Sequence, residues 1–191
     1  SGDFMKIYSV GTAAPIARFN YVATEKEEKA LSTDEKKALA GTSVLKAGCE
    51  KMVVSGSEMS VYEADRRVTP FEANGTLYIP KEAFAEILGY GESKIYYDAT
   101  ENIFYFYQFK LNDGLTEVVS QNWYYTVLGS YEARQSGYLK SLSAPVLATN
   151  GNIFVPVSIF AEAMGLSVTN LGGGAYQIGT GSGASVLGYL D

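Results

Sequence analysis

The chain has 191 residues, of which 47% are hydrophobic and 19% charged, with a formal net charge of −6. This composition is typical of a globular protein, and the acidic balance argues against nucleic acid or an anionic membrane as a partner, because both need a basic surface. The chain has no histidine and a single cysteine, Cys49. These counts exclude histidine-dependent catalysis, histidine-ligated zinc or copper and an intramolecular disulfide. No apolar run is long enough to span a bilayer.

Residues 1–48 are predicted to form an N-terminal extension with one strand and one charged helix. The strand is expected at Phe4–Val10 and the helix at Thr33–Ala40, opened by the capping box Ser32-x-x-Glu35. Cys49 is predicted to be a small buried hydrophobe. Ser1-Gly2 is followed by no basic or apolar leader segment, which fits both an exported protein whose signal peptide has been removed and a cytosolic protein. We expect the exported case.

Residues 49–110 form the first predicted unit, centred on a turn, a proline and a short helix. Asn74-Gly75 lies between apolar runs and predicts a hairpin, since both central residues of a type I′ turn need positive φ. Pro80 suits the first helical position, Phe84 lies on the apolar side of the helix, and Gly89 ends the helix. Further strands are predicted on both sides of this device, at Lys51–Val54, Glu58–Tyr62, Val68–Phe71, Leu77–Ile79, Lys94–Tyr97 and Asn102–Phe109.

Residues 111–179 form a second predicted unit that repeats the first at an offset of 76 residues. Such a repeat identifies an architectural unit. Seven residues are identical at this offset, and in the second unit they are Asn150, Gly151, Pro156, Phe160, Ala161, Glu162 and Gly165. The predicted fold is therefore α+β, with two repeated units of antiparallel strands packed on a short helix.

Two segments of the second half have no counterpart in the first. The Ser-, Gly- and Tyr-rich residues between Val127 and Pro145 are predicted to be an inserted loop. Gly179–Gly183 has the composition of a flexible linker and predicts a flexible C-terminal tail over residues 180–191.

The Asn-Gly, proline, helix, glycine order resembles the copper amine oxidase N-terminal (stalk) domain found in exported proteins of Gram-positive bacteria, over about residues 50–179. Ile95–Asp98 is similar to the strand that ends in an aromatic residue and Asp in that family, whereas Thr169–Gly172 departs from it. Lys81-Glu82 and Val157-Ser158 stand where the family has Leu-Arg. The resemblance implies a non-catalytic domain, because copper and the quinone of the oxidases belong to a different domain with histidine ligands.

Aromatic residues are the main functional hint beyond the fold, with 15 tyrosines, nine phenylalanines and one tryptophan. Alternation along a strand predicts Tyr105, Tyr107 and Phe109 on one face and Phe104 and Phe106 on the other, with one face in the core. The exposed rings have three interpretations: a plain cover of the sheet, a platform that stacks on sugars, or a protein interface. The candidate ligand-binding residues are Tyr105, Tyr107, Trp123, Tyr125, Tyr131 and Tyr138.

Carboxylate pairs are the remaining catalytic possibility, since two acids can hydrolyse a glycoside without histidine. The candidates are Asp98 with Glu101 and Glu86 with Glu162. The first pair is predicted in a hairpin turn, where Asp is expected for turn geometry, and the second is placed on helix surfaces. We therefore predict no catalytic residue, no metal ligand and no cofactor.

The sequence thus predicts a non-catalytic secreted or cell-surface module for attachment, for ligand binding or for presenting a neighbouring domain. The expected partners are a cell-wall or extracellular polysaccharide or another protein domain. A protein-interaction or assembly domain is the first alternative, and a carboxylate-dependent hydrolase is the second.

Overall fold

The computed structural model describes residues 30–62, 68–89, 95–107 and 122–191, and the backbone alone of 7–8, 15–17, 108–111 and 118–121. The strands in these ranges are β1 Ile7–Tyr8, β2 Pro15–Ala17, β3 Ser43–Lys46, β4 Lys51–Val54, β5 Ser57–Ser60, β6 Phe71–Ala73, β7 Thr76–Pro80, β8 Ile95–Asp98, β9 Ile103–Leu111, β10 Val118–Val127, β11 Glu132–Gln135, β12 Tyr138–Ser141, β13 Leu147–Thr149, β14 Asn152–Pro156, β15 Val168–Gly172 and β16 Ala175–Ile178. The helices are α1 Thr33–Ala38, α2 Lys81–Ile87, α3 Ser158–Glu162, α4 Leu187–Leu190 and the 3-10 helix Gly183–Val186.

These strands pair antiparallel in three larger sheets and one small hairpin, β1–β2. The covered sheet has the order β15-β16-β3-β4-β5, the central sheet has the order β13-β14-β7-β6, and the aromatic sheet has the order β12-β11-β10-β9-β8. Antiparallel sheets with a few short helices confirm the predicted α+β class.

The central sheet consists of two hairpins with the same register at an offset of 76 residues. Phe71 faces Tyr78 in one hairpin as Leu147 faces Phe154 in the other. The two hairpins meet where Ile79 pairs with Val155, its own equivalent at this offset. Both Asn-Gly turns have positive φ, 52° and 73° at Asn74 and Gly75 and 51° and 76° at Asn150 and Gly151, which confirms the predicted turn.

The two helices begin one and two residues after their prolines, so neither proline occupies the first helical position predicted for it. Pro80 is the last residue of β7 and the N-cap of α2, while Pro156 ends β14 and α3 begins at Ser158. Both prolines are paired in the ladder between β7 and β14, which holds their backbone extended (ψ 148° at Pro80) and delays the helix. Gly89 and Gly165 follow the helices with φ of 71° and 70°, as the prediction of left-handed helix ends requires.

The two outer sheets each combine strands from both halves of the chain. The hairpin β8–β9 pairs with β10–β12 of the second half, and the hairpin β15–β16 pairs with β3–β5 of the first half. β3 lies within the stretch that the sequence assigns to an extension, yet it is the middle strand of the covered sheet. Strands from the predicted units 49–110 and 111–179 therefore interleave.

The segment predicted as an inserted loop after Val127 instead forms β11 and β12. Its turn, Ser136-Gly137, has positive φ at both residues, as does Ser55-Gly56 between β4 and β5. The registers of these two hairpins match at an offset of 81 residues rather than 76. The loop prediction was wrong because this change of offset hides the correspondence from a comparison made at one constant spacing.

One core joins the three sheets. The Phe84 and Phe160 rings, one from α2 and one from α3, lie 4.9 Å apart and are fully buried. The inner faces of all three sheets pack around this pair, through residues such as Leu45, Ile79 and Phe104. Because the helices fill one shared centre, burial here stabilises both outer sheets together.

The segment 180–191, predicted to be a flexible tail, is packed on the covered sheet. Val186 and Leu190 are buried in a cluster with Leu31, Leu39 and Val44. The prediction was wrong because it considered only the glycine content of the segment. The glycines precede Val186 and Leu190, which have helical spacing and anchor the segment by their burial.

The remaining N-terminal predictions have mixed outcomes. Ser32 and Glu35 form the predicted capping box at α1, which ends at Ala38. Cys49 is only half-buried, because it lies at the edge of the cluster under α1 and α4. The strand predicted at Phe4–Val10 lies mostly outside the described residues; its described part, Ile7–Tyr8, pairs with β2. Lys94 and the side chain of Phe109, which were also assigned to predicted strands, lie outside the described part as well.

Candidate functional site

The outer face of the aromatic sheet carries a row of side chains that are paired directly across all five strands. The row consists of Tyr96, Tyr105, Tyr125, Arg134 and Leu139. The Tyr96 and Tyr105 ring centroids are 6.0 Å apart, and those of Tyr105 and Tyr125 are 5.9 Å apart. The sheet thereby brings residues that are far apart in sequence into one row, of which three neighbours are aromatic.

A second, shorter row adjoins the first, because Tyr107 pairs with Trp123. The Trp123 ring stacks on that of Tyr125, with centroids 5.5 Å apart and planes 8° apart. We call the outer-face residues Tyr96, Tyr105, Tyr107, Trp123 and Tyr125 the aromatic face. Trp123 is 39% exposed and Tyr96 58% exposed, so the face is open to solvent.

The inner face of the same strands is core. Phe104, Phe106 and Tyr124 are buried, and the Phe106 and Tyr124 rings stack with centroids 4.7 Å apart. The predicted alternation between Phe104 and Phe106 on one side and Tyr105 and Tyr107 on the other is confirmed.

Hydroxyl groups distinguish inner tyrosines from those of the aromatic face. Inner hydroxyls have protein partners: that of Tyr78 accepts from Asn74 Nδ2 at 3.0 Å, and that of Tyr124 accepts from Gln135 Nε2 at 3.2 Å. Within the described part of the chain, the hydroxyls of the aromatic face make no hydrogen bond to protein. The face therefore offers free donors and acceptors beside its rings.

Carboxylates form one rim of this surface. Partial burial raises the pKa of the Tyr105 hydroxyl, and the negative charge of Asp98 raises it further, followed by the neighbouring tyrosines and Glu101. Glu132 lies on the same face in β11 and is exposed. The surroundings of the aromatic face are thus acidic, with Arg134 as the cation within the row.

The six predicted ligand residues do not all meet. Tyr105, Tyr107, Trp123 and Tyr125 lie together, whereas Tyr131 precedes β11 and Tyr138, 77% exposed, pairs with Gln135 and so belongs to the opposite face at the edge of the sheet. Tyr96, Arg134 and Leu139 lie beside these four but are not among the predicted ligand residues. Only the cross-strand register could have found them, and the sequence does not supply it.

The equivalent face of the covered sheet is closed by the protein itself. Its matching row consists of Thr169, Gln177, Val44, Val53 and Glu58. Leu31, Leu39, Val186 and Leu190 pack on Val44 and Val53. Two hydrogen bonds also hold the covering segments: Gln177 Oε1 accepts from Gly183 N at 2.8 Å, and Glu58 Oε1 accepts from Leu31 N at 2.5 Å.

Two of the four candidate catalytic carboxylates, Asp98 and Glu162, accept hydrogen bonds from backbone N–H groups. Asp98 Oδ1 accepts from Thr100 N at 2.9 Å and from Glu101 N at 3.2 Å, which closes the β8–β9 turn. Glu162 accepts from Ser143 N, and Glu86 is exposed on α2. Across the described ranges, no cluster of three or more Cys, Asp or Glu side chains could hold a metal ion.

A shallow groove of about 410 Å3 lies on the central sheet, away from the aromatic face. Its walls are Phe71, Phe154 and the polar residues around the Asn150 turn. It contains no charged side chain. No helix in the described ranges is long and apolar enough to cross a membrane.

Comparison with known proteins identifies the domain. A profile of the copper amine oxidase N-terminal domain matches residues 53–174, well over half of the chain. Neither the curated proteins nor the solved structures contain a match. In the oxidases this N-terminal domain is non-catalytic. The chain belongs to the copper amine oxidase N-terminal domain family.

Proposed function

We propose that this chain is a non-catalytic, exported or cell-surface binding module of two repeated units, which attaches to its ligand through the aromatic face. One observation carries the proposal. Two sheets of the same construction differ in that the chain covers the outer face of one and leaves the aromatic outer face of the other open. An exposed set of contiguous aromatic rings is characteristic of an interaction surface.

The absence of catalytic chemistry rests on separate observations. The chain has no histidine, and the family domain is non-catalytic in the oxidases. The acids that could have replaced histidine cap turns or face solvent. These observations support binding or presentation of a neighbouring domain as the role of the module.

The repeat has support from hairpin geometry. The hairpins β6–β7 and β13–β14 share one register at an offset of 76 residues, and β4–β5 and β11–β12 share another at an offset of 81. In this proposal the units 49–110 and 111–179 exchange their last hairpins. The exchange gives each outer sheet strands from both units.

Co-sedimentation with insoluble polymers tests the binding role. The whole chain would be mixed with Gram-positive cell-wall sacculi and with plant polysaccharide particles, and bound protein would be measured in the pellet. We expect Trp123→Ala combined with Tyr125→Ala to abolish binding, because it removes the centre of the aromatic face. The matched control, Tyr131→Ala combined with Tyr138→Ala, removes two exposed rings elsewhere and should bind as the original chain does.

Two results would contradict the proposal. One is equal binding by both double variants, which would place the contact elsewhere. The other is no binding of the original chain to any polymer together with a stable homodimer in solution.

That second outcome would favour a protein-interaction domain, for which one observation exists. Leu139, 54% exposed, and Val127, 45% exposed, extend the aromatic face with aliphatic surface. A dimer seen by light scattering and dispersed by Leu139→Lys would establish this alternative.

A further inference from the structure

We infer that the ligand of the aromatic face is a neutral, extended, β-linked polysaccharide that lies across the strands along the row from Tyr96 to Leu139. This inference rests on the proposed function and names its ligand class. Three features of the face support it: its free hydroxyls, its acidic rim and the continuity of its row across five strands.

The free hydroxyls argue against a helix as the occupant. A helix satisfies its backbone groups internally, so a helix docked here would bury the hydroxyls of Tyr96, Tyr105, Tyr107 and Tyr125 with few partners. A buried hydroxyl without a partner is costly. A polysaccharide offers hydroxyls on every sugar and C–H groups between them, which suits a surface of rings with hydroxyl tips.

The covered sheet shows what a helix-binding face of this fold contains. Its row has the small side chains Val44 and Val53 at the centre, and carboxylate and amide groups that accept from the N–H groups of the covering segments. The aromatic row has Tyr125 and Arg134 at the positions that match Val44 and Val53. Tyr125 also stacks on Trp123, so the face is filled by its own rings and suits a flat ligand better than one with projecting side chains.

The charges of the rim select against anionic polymers and against a second copy of the chain. Asp98, Glu101 and Glu132 form one acidic rim of the face and outnumber Arg134, the cation in its row, and the chain has a formal net charge of −6. Two such faces, or one face and a polyanion, would repel each other. A neutral ligand avoids this repulsion.

The geometry of the row selects an extended chain. Direct pairing places Tyr96, Tyr105 and Tyr125 side by side on neighbouring strands, with ring centroids 6.0 and 5.9 Å apart and ring planes tilted by 35° and 37°. Five strands at the usual spacing of about 4.8 Å give a row roughly 19 Å long. A continuous row of this length matches an extended β-linked chain, whereas an α-linked chain that coils would contact only part of it.

Trp123 provides the test, because it is the only tryptophan of the chain and lies in the face. Its fluorescence would be titrated with soluble β-1,4-gluco-oligosaccharides of increasing length, with α-1,4-gluco-oligosaccharides and with polygalacturonate. We expect affinity to rise with length in the β-linked series only. Tyr96→Ala should weaken binding of the longest β-linked chain about tenfold and leave the shortest little changed, since it removes the end of the row.

A pair of conservative variants separates the hydroxyl from the ring. Tyr105→Phe keeps the ring and should weaken binding less than Tyr105→Ala, with Tyr97→Phe on the inner face as the control for folding. Urea unfolding of each variant confirms that it remains folded.

The failures of the inference and of the proposed function are distinguishable. Tighter binding of polygalacturonate or of the α-linked series, or no dependence on chain length, would overturn the ligand class. If the Trp123→Ala and Tyr125→Ala double variant still failed to co-sediment with a polymer that binds the original chain, the proposed function would stand. No binding by any oligosaccharide, with co-sedimentation unaffected by that double variant, would overturn both.

Discussion

The covered sheet and the aromatic sheet have the same construction and opposite outer faces. Each has three consecutive strands from one half of the chain, extended by a hairpin from the other half. The outer face of the covered sheet is closed by α1, α4 and the 3-10 helix, while the aromatic face is open. A single framework thus serves once for stability and once, in our proposal, for binding.

The middle strand shows how the difference arises. Val44 of β3 lies between Gln177 and Val53, and Tyr125 of β10 lies between Tyr105 and Arg134. Valines leave room for apolar side chains of a covering helix, whereas large rings cover the sheet themselves and keep their hydroxyls in water. Side-chain size on one face therefore decides whether the sheet is covered by its own chain.

The largest expected effect comes from the core that both sheets share. Phe84→Ala should lower the free energy of unfolding by about 3–5 kcal/mol, because the ring contacts Phe104, Phe106 and Phe160. Urea unfolding followed by Trp123 fluorescence and by circular dichroism should give one coincident transition. Two separate transitions would show that the sheets fold independently, and Tyr96→Ala, on the surface, should change stability by less than about 0.5 kcal/mol.

A matched leucine pair tests the cover itself. Leu39→Ala removes a fully buried side chain of the covered sheet and should cost about 2–5 kcal/mol. Leu139→Ala removes a side chain that is 54% exposed in the aromatic row and should cost less than about 0.5 kcal/mol. Equal losses in urea unfolding would mean that both faces are covered in solution.

Substitution of Gln177 tests whether side-chain hydrogen bonds help to keep the covered sheet closed. Its Nε2 donates to Gly179 O at 3.0 Å and Gly181 O at 2.8 Å, and its Oε1 accepts from Gly183 N. Gln177→Leu should cost about 1–3 kcal/mol, because it leaves these buried groups unpaired. Faster hydrogen exchange confined to residues 181–190 is expected, and unchanged exchange there would show that apolar contacts alone hold the cover.

The smallest expected effect is on the pH dependence of stability. Burial raises the pKa of the Tyr176 hydroxyl above its ordinary value near 10, and the hydrogen bond it donates to Glu72 raises it further. Burial also raises the pKa of Tyr78, against the opposing hydrogen bond from Asn74. Because folding favours the neutral phenols, this stability is complete below pH 10 and decreases as the pH rises through the folded-state pKa values.

Urea unfolding between pH 8 and 11 should therefore show a decrease that Tyr176→Phe partly removes. Tyr105→Phe should remove less of it, since solvent screens the charges around the aromatic face. An alkaline decrease that is identical in both variants would contradict this assignment.

Local patterns were predictable from sequence wherever a few adjacent residues decide the backbone. The Asn-Gly turns, the capping box at Ser32 and the glycine helix ends all follow from steric and hydrogen-bonding preferences of single residues. The alternation of Phe104, Tyr105 and Phe106 followed from strand geometry for the same reason.

Pairing between distant segments was not predictable in this way. The combination of strands from both halves in each outer sheet, the place of β3 and the packing of residues 183–190 depend on contacts between segments far apart in the chain. Composition favoured a flexible tail, but Val186 and Leu190 gain more from burial against Val44 than the glycines lose in freedom.

The sequence by itself determined the repeated turn–proline–helix–glycine device, the α+β class and the lack of histidine chemistry, because these depend on local stereochemistry and on residue counts. Tertiary structure alone decided that Tyr96, Tyr105 and Tyr125 stand in line with Arg134 and Leu139, because register is set by which strands meet. It also decided which of two similar sheets is covered, because the covering segments come from parts of the chain far from the strands they protect.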